Sequence, residues 1–390
     1  MWRISSNVRF RRETSVQLTK LAAAVLAVVV AVQLARMPAA NPPPPARQFD
    51  SPLPVLHGLA LQVDRPTDLV RRYDKALQEI VALGANCVLI STSFYQEHAG
   101  SERIDYHADH TPRPAELRPL LERARSLGLR VVLMPKVLLA SPRGNEWRGK
   151  IQPPDWEEWF AQYRRCILEM ARAAAEARAD VFMVGSELVT TERYTDEWRR
   201  IVREARQVFD GRLAYSANWD HYRDIEFWDD LDLIGMTTYY KLADQPDPSL
   251  ETLVQSWQPI RKNILAWQRK KSRPLIFTEV GWCSQEGSAI EAWNYYRSRK
   301  TTPAALQEQK NLYLAFLQAW DDAPEVGGVI WWEWTIYQGG PADVGYTPRG
   351  KPAEEVLRDW FARHRKVAGE GAEPPALDRA TAAGDGDDDD

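Results

Sequence analysis

Two carboxylates in this sequence stand where a carboxylate is costly. Glu279 lies near the end of the apolar run Pro274-Leu275-Ile276-Phe277-Thr278-Glu279-Val280, and Gly281-Trp282 follow at once. Glu187 ends a second run, Val181-Phe182-Met183-Val184-Gly185-Ser186-Glu187. Each run has the length and composition of a strand buried on both faces. Desolvating an unpaired carboxylate costs several kcal/mol, so such a position needs compensation. For one Glu, a solvated or salt-bridged place just past the strand end is the simple account. Two of them raise a second account, a pair working on one small volume. Carboxyl groups about 5–5.5 Å apart suit retaining glycoside hydrolysis, one as acid/base and one as nucleophile, whereas roughly 6.5–9.5 Å suits inversion. Unequal surroundings would keep one protonated and the other ionised.

Such a pair can meet only if the two strands face each other across a common mouth. Strand signals occur at residues 55–63, 86–92, 129–137, 181–185, 213–217, 231–237, 274–280 and 328–334. Helical patterns alternate with them at 67–84, 114–127, 155–179, 195–211, a short piece after 217, 250–268, 302–319 and 352–361. Pro259 predicts a break or kink in the helix over 250–268. No hairpin turn joins successive strands. Eight alternating units predict an α/β fold, a single (β/α)8 TIM barrel, in which strands 4 and 7 point their C-terminal ends into one mouth. The alternative is a doubly wound open sheet. It is disfavoured because His57-Gly58 on the first strand is not a Gly-rich phosphate loop.

Other residues at strand ends are candidates for substrate contact. Lys136 ends strand 3 and could donate to a hydroxyl or be salt-bridged. Asn218 and Trp219 close strand 5, as substrate contacts or as loop packing. Phe94, Tyr95 and Gln96 follow strand 2, and Trp282 follows Glu279. Glu333 should point away from the mouth, because neighbours on a strand alternate faces. His107, Asp109 and His110 lack a third well-placed ligand and read as a surface loop, so no metal is expected. Sixteen Trp are present. Their flat faces suit sugar rings, although those at helical spacing, such as Trp156 and Trp159 with Phe160 and Tyr163, belong to the core.

The pattern at the strand ends resembles a known family. Its carriers are Gly185-Ser186-Glu187-Leu188, Ile234-Gly235-Met236-Thr237-Thr238-Tyr239-Tyr240, Phe277-Thr278-Glu279-Val280-Gly281-Trp282, Trp331-Trp332-Glu333-Trp334 and the late loop Gly345-Tyr346-Thr347-Pro348-Arg349-Gly350-Lys351-Pro352-Ala353. They look like the clan A glycoside hydrolases, and most like the β-mannanase-like glycoside hydrolase family 113, over about residues 57–361. The resemblance implies Glu187 as acid/base and Glu279 as nucleophile. It implies Tyr239 as a hydrogen-bond donor to the nucleophile and Trp332 as the floor of the sugar subsite beside the cleaved bond. The substrate it implies is a β-linked poly- or oligosaccharide of the β-1,4-mannan type, with no cofactor. Ser186 departs from the pattern, since many clan A enzymes carry Asn immediately before the acid/base, facing the sugar 2-hydroxyl. Two further readings stand beside hydrolysis: a non-catalytic carbohydrate-binding or envelope protein on a hydrolase scaffold, and a transglycosylase using the same pair.

The chain has 390 residues, 44% of them hydrophobic, which suffices for one large core. A net charge of −4 with no basic excess argues against nucleic acid as a partner. Three widely spaced cysteines form neither a disulfide framework nor a metal cluster, and at most one pair could bridge. Residues 1–40 read as an export signal: Arg3, Arg9, Arg11 and Arg12 precede an apolar run at 21–35, which would serve as a membrane anchor if retained. The barrel would then lie outside the cytoplasm. Residues 41–53 read as a Pro-rich linker, 54–366 as the barrel, and 367–390 as a disordered acidic tail.

Overall fold

The structure is a computed structural model that describes residues 49, 52–337 and 339–367. Eight parallel strands close a barrel in sequence order: β1 (Leu56–Gln62), β2 (Cys87–Gln96), β3 (Arg130–Leu139), β4 (Val181–Ser186), β5 (Arg212–Ala217), β6 (Leu233–Thr237), β7 (Leu275–Val280) and β8 (Val326–Trp331). Among the described residues, seven α-helices surround it: α1 (Leu69–Leu83), α2 (Pro114–Ser126), α3 (Trp156–Glu176), α4 (Thr195–Val208), α5 (Leu250–Lys271), α6 (Pro303–Trp320) and α7 (Pro352–Val367). The expected leader, the linker up to residue 48 and the tail beyond residue 367 lie outside the described residues. No helix among the described residues is long and apolar enough to cross a membrane.

The (β/α)8 expectation holds, with one shortened unit. Between β5 and β6 the return is only a 3-10 turn, Trp228–Asp230. The sequence there is broken by Asp220, Asp224, Asp229 and Asp230, which leaves no apolar stripe long enough for a helix. Phe227 and Trp228 cover the barrel instead. Both are fully buried, and Phe227 stacks on Trp198 of α4 with ring centroids 5.2 Å apart.

Strands β4 and β7 are buried along their whole length, as parallel strands between a barrel core and a helical layer must be. The helices present apolar stripes to them. In α4 the buried positions are Trp198, Ile201, Val202 and Ala205, a spacing of three and four residues. Helix α6 begins on Thr302, whose hydroxyl accepts from the Ala305 amide at 3.1 Å, with Pro303 in the first turn. The break expected at Pro259 is absent, and α5 runs from Leu250 to Lys271 as one helix. Buried Trp257 and Ile264 anchor it on either side of the proline, and this packing outweighs a penalty of about 3 kcal/mol. Strands β2 and β3 run past their predicted ends because they pair with each other as far as Gln96 and Leu139.

Ladder irregularities gather where chemistry is expected. Register shifts lie between Met183 and Ser186 on β4, between Met236 and Thr237 on β6 and between Phe277 and Val280 on β7, with a fourth, between Leu275 and Ile276, at the other end of β7. Such bulges re-aim the side chains that follow them. Gly281 allows a close approach at the same level: a Cβ there would sit 2.1 Å from the Trp332 carbonyl oxygen. That approach lets the Trp332 amide donate to the Val280 carbonyl at 2.8 Å, one residue after Glu279. All three cysteines are buried and free, which settles the open question of a bridge.

Candidate active site

Glu187 follows the last residue of β4 and takes a left-handed backbone, φ 51°. For a residue with a side chain this costs about 1–3 kcal/mol, so neighbours must hold it. They do so through the backbone. The Glu187 amide donates to the Ser216 carbonyl at 2.8 Å, and the Leu188 amide donates to the Tyr215 hydroxyl at 2.9 Å. Tyr215 in turn donates to Glu192 at 2.7 Å, and burial pushes the Glu192 carboxyl up to about 8. Gly185 makes room for this bracket, since a Cβ would meet Trp198 at 2.8 Å and Tyr215 at 2.9 Å.

The Glu187 carboxylate is buried and engaged at both oxygens. Thr237 Oγ1 donates to Oε1 at 3.0 Å. Arg148 Nη2 donates to Oε2 as an ion pair. Arg148 comes from the 3-10 turn Arg148–Lys150 in the loop between β3 and α3. Burial acts against its charge, but Glu187 and then Glu279 outweigh it and the guanidinium is held above its usual range.

Glu279, on β7, is equally buried. Tyr239 donates its hydroxyl to Oε2 at 2.7 Å, whereas Oε1 has no hydrogen-bond partner among the described residues. Burial, and then the Glu187 charge, push the Glu279 carboxyl above its ordinary value; Lys136, Arg148 and the Tyr239 hydrogen bond act in the opposite direction. Burial followed by the Glu279 charge also drives the Tyr239 hydroxyl well up, so it remains a donor. Three successive residues at the end of β6 connect the two carboxylates. Thr237 donates to Glu187, the Thr238 hydroxyl donates to the Glu279 carbonyl at 3.0 Å, and Tyr239 donates to the Glu279 side chain. One layer below, Ser216 and Thr278 hydroxyls lie 2.6 Å apart and tie β5 to β7.

The profile of glycoside hydrolase family 113 matches residues 70–351. The chain belongs to glycoside hydrolase family 113. A family 113 β-1,4-mannanase solved in complex is 26% identical with a TM-score of 0.71, the match covering 79% of this chain and 99% of that one. The family 113 β-mannanase AaManA from Alicyclobacillus acidocaldarius, solved in complex with ManMIm, is 28% identical with a TM-score of 0.70, covering 80% and 98%. A Faecalibacterium prausnitzii β-glucuronidase, 14% identical with a TM-score of 0.53, shares the fold alone. No curated protein matches the chain.

This family 113 glycoside hydrolase brings most of the sequence-predicted residues to one mouth. Lys136 is buried, donates to Gln62 at 3.2 Å and lies 4.4 Å from the Trp332 ring centre. Burial pushes its ammonium down to about 8 against the pull of Glu279. Trp332 is nearly buried beside β7. Trp219 sits next to the Glu187 side: its amide donates to Thr237 Oγ1 at 3.2 Å and its ring meets Tyr240 at 5.0 Å. Asn218 is buried at the end of β5, with its amide donating to Asp220 at 2.6 Å within its own loop.

Two expectations need correction. Trp282 does not line the mouth. It is fully buried with its ring among Trp257, Tyr313 and Phe316, in the layer between barrel and helices. Glu333 does not point away. Burial pushes its carboxyl up to about 7, and Gln62, Lys136 and Glu279 all act on it. The alternation argument fails because β8 ends at Trp331, two residues earlier. Arg148 was not singled out from the sequence at all. Its only local signal is the pair Trp147-Arg148 in a Gly-rich loop, and nothing nearby in sequence marks it as reaching Glu187. The His107 and His110 rings lie 4.6 Å apart, tilted to each other, beside Tyr95, and no group of three metal-ligating side chains occurs among the described residues.

Proposed function

We propose that the enzyme is a retaining hydrolase of β-1,4-mannan-type polysaccharide, with Glu279 as nucleophile and Glu187 as acid/base. The observation that carries this reading is the asymmetry of the two carboxylates. Glu279 has one oxygen held by Tyr239 and the other unengaged, the arrangement of a group poised to form a bond. Both oxygens of Glu187 accept hydrogen bonds from side chains of other elements, Arg148 and Thr237, which orient it beside the same volume. Membership of the family and the similarity to solved β-mannanases support the substrate class.

In the first step Glu279 Oε1 attacks the anomeric carbon while Glu187 gives its proton to the departing glycosidic oxygen. The product is a glycosyl ester on Glu279, formed with inversion. In the second step Glu187, now a carboxylate, takes a proton from water, which attacks the same carbon and expels Glu279. Two inversions give net retention. Tyr239 holds the Glu279 carboxylate in line for both steps. Lys136 and Arg148 offset the charge of the two glutamates, and Trp332 beside β7 offers a flat face for the sugar.

Reducing-end release from defined polysaccharides tests the substrate, and proton NMR of the first product tests the stereochemistry. β-1,4-Mannan is expected to be cleaved with the β anomer appearing first. An initial α anomer would replace the covalent mechanism by inversion, and cleavage of other polysaccharides in preference to mannan would replace the substrate.

Tyr239→Phe tests the orientation of Glu279. A hydrogen bond to a charged group contributes about 1.5–3 kcal/mol, so kcat is expected to fall roughly 10–150-fold. The bond also favours the ionised form of Glu279, the form that attacks. Removing it raises the Glu279 carboxyl further, so the acidic limb of kcat/KM moves to higher pH. An acidic limb that stays in place or moves down would show that Tyr239 does not act through Glu279. The polysaccharide substrate agrees with the export reading of residues 1–40 and an extracytoplasmic barrel.

A further inference from the structure

Between β7 and α6, residues 281–302 run without helix or strand. Loops of more than about 12–15 residues with no regular structure are uncommon in compact domains and tend to serve function. This one is built rather than slack. Buried Glu308 of α6 accepts from the Gly287 amide and the Ala289 amide, both at 2.9 Å. Buried Gln285 donates to the Tyr295 carbonyl at 3.0 Å and accepts from the Ser298 amide at 2.8 Å. The Tyr346 hydroxyl donates to the Ala292 carbonyl at 2.8 Å.

What this braced loop displays is aromatic. Of the five exposed large hydrophobic residues identified among the described residues, three sit here within four positions: Trp293 at 53%, Tyr295 at 51% and Tyr296 at 76% exposure. Exposed aromatics held on a braced backbone mark an interaction site more often than scattered apolar residues do. The cluster is also continuous with the mouth. The Tyr295 and Tyr296 rings lie 3.9 Å apart, Tyr295 meets Tyr346 at 6.4 Å, and Tyr346 meets Tyr239, the donor to Glu279, at 6.1 Å. On the other side, the Arg148 charge that pairs with Glu187 is close enough to act on the Tyr295 hydroxyl. A line of rings therefore leads from the two carboxylates to solvent.

We propose that Tyr295 and Tyr296, with Trp293 beside them, form a stacking platform for sugar residues distant from the cleaved bond. The occupant is a glycan chain that extends out of the catalytic mouth over this loop. The platform makes the enzyme select chains over single glycosides. This rests on the glycosidase reading above, and it assigns the loop a task that the two-carboxylate chemistry does not require.

The test compares Tyr296→Ala and Trp293→Ala with the wild type on β-1,4-mannan and on an activated aryl glycoside. Both side chains are exposed, so neither replacement opens a core cavity. Removing one stacking ring at a binding surface is expected to lower kcat/KM on the polysaccharide about 10-fold more than on the aryl glycoside, mainly through KM. Equal losses on both substrates, or no loss on either, would overturn the platform. A binding measurement separates this proposal from the mechanism. In a Glu279→Gln background, affinity electrophoresis in mannan gels should show weaker retardation when Tyr296 or Trp293 is replaced. Unchanged retardation overturns the platform even if hydrolysis is confirmed. Ring-dependent retardation by a protein that cleaves neither substrate would uphold the platform and remove the catalytic reading.

Discussion

Glu279→Gln is expected to lower hydrolysis by roughly 10⁴-fold or more, the scale on which loss of a covalent nucleophile is felt. The replacement keeps the shape of the side chain and keeps an acceptor for the Tyr239 hydroxyl, 2.7 Å away in the native protein. It removes the negative charge and the free oxygen that would form the glycosyl ester. Since β7 is buried on every residue, the neutral amide sits at a position where burial already opposes charge, so folding should not suffer. Binding of oligosaccharide should therefore persist while turnover disappears. Initial rates on an aryl glycoside, together with calorimetric titration of an oligosaccharide, check both halves. Near-native turnover would remove Glu279 from the mechanism, and joint loss of folding and binding would make its role structural.

Glu187→Ala should have a different signature. General acid/base catalysis contributes about 10²–10⁴-fold, and that loss is expected in full on a natural polysaccharide, where the leaving oxygen needs a proton. An activated aryl glycoside has a leaving group that departs unaided. Glycosylation then survives, and the slow step becomes attack of water on the Glu279 ester without a base. Azide needs no base and can occupy the space left by the side chain, so it should restore turnover and yield a glycosyl azide. Truncation also leaves Arg148 buried without its ion-pair partner. A companion Glu187→Gln variant, which keeps an acceptor for Arg148 and Thr237, shows whether a loss comes from missing chemistry or from a disturbed loop. Rescue absent on the aryl glycoside, with activity on mannan undiminished, would exclude Glu187 as the acid/base.

The two predictions differ because the surroundings of the two glutamates differ, and those surroundings come from separate parts of the chain. The side-chain hydrogen bond that holds Glu279 comes from Tyr239, just past the end of the adjacent strand β6. Glu187 depends on a left-handed turn, on Tyr215 of β5 and on an arginine from the loop after β3. Its position is therefore the more sensitive to distant changes.

The alternation of apolar strand runs with amphipathic helical runs was legible in the amino-acid sequence, and it determined the barrel. Burial on both faces leaves a parallel strand no room for polar residues, so a glutamate at the end of such a run is visible without coordinates. Glu187 and Glu279 were legible for that reason, whereas Tyr239, two residues past the end of β6, was marked only by the family resemblance. Tertiary structure decided the rest. Trp282 and Trp332 each follow an apolar strand and look alike in sequence, yet one packs among Trp257, Tyr313 and Phe316 while the other lies beside Lys136. Backbone direction after the strand end separates them, and the bulges and the close approach at Gly281 set that direction. Glu333 turned toward Gln62 because the strand, and with it the alternation of faces, had already ended. Arg148 is 39 residues from Glu187 in sequence and meets it only because the loop after β3 folds over the mouth. Strand ends are local features that hydrophobic periodicity records. Contacts made by loops depend on closure of the barrel, and no local pattern carries that information.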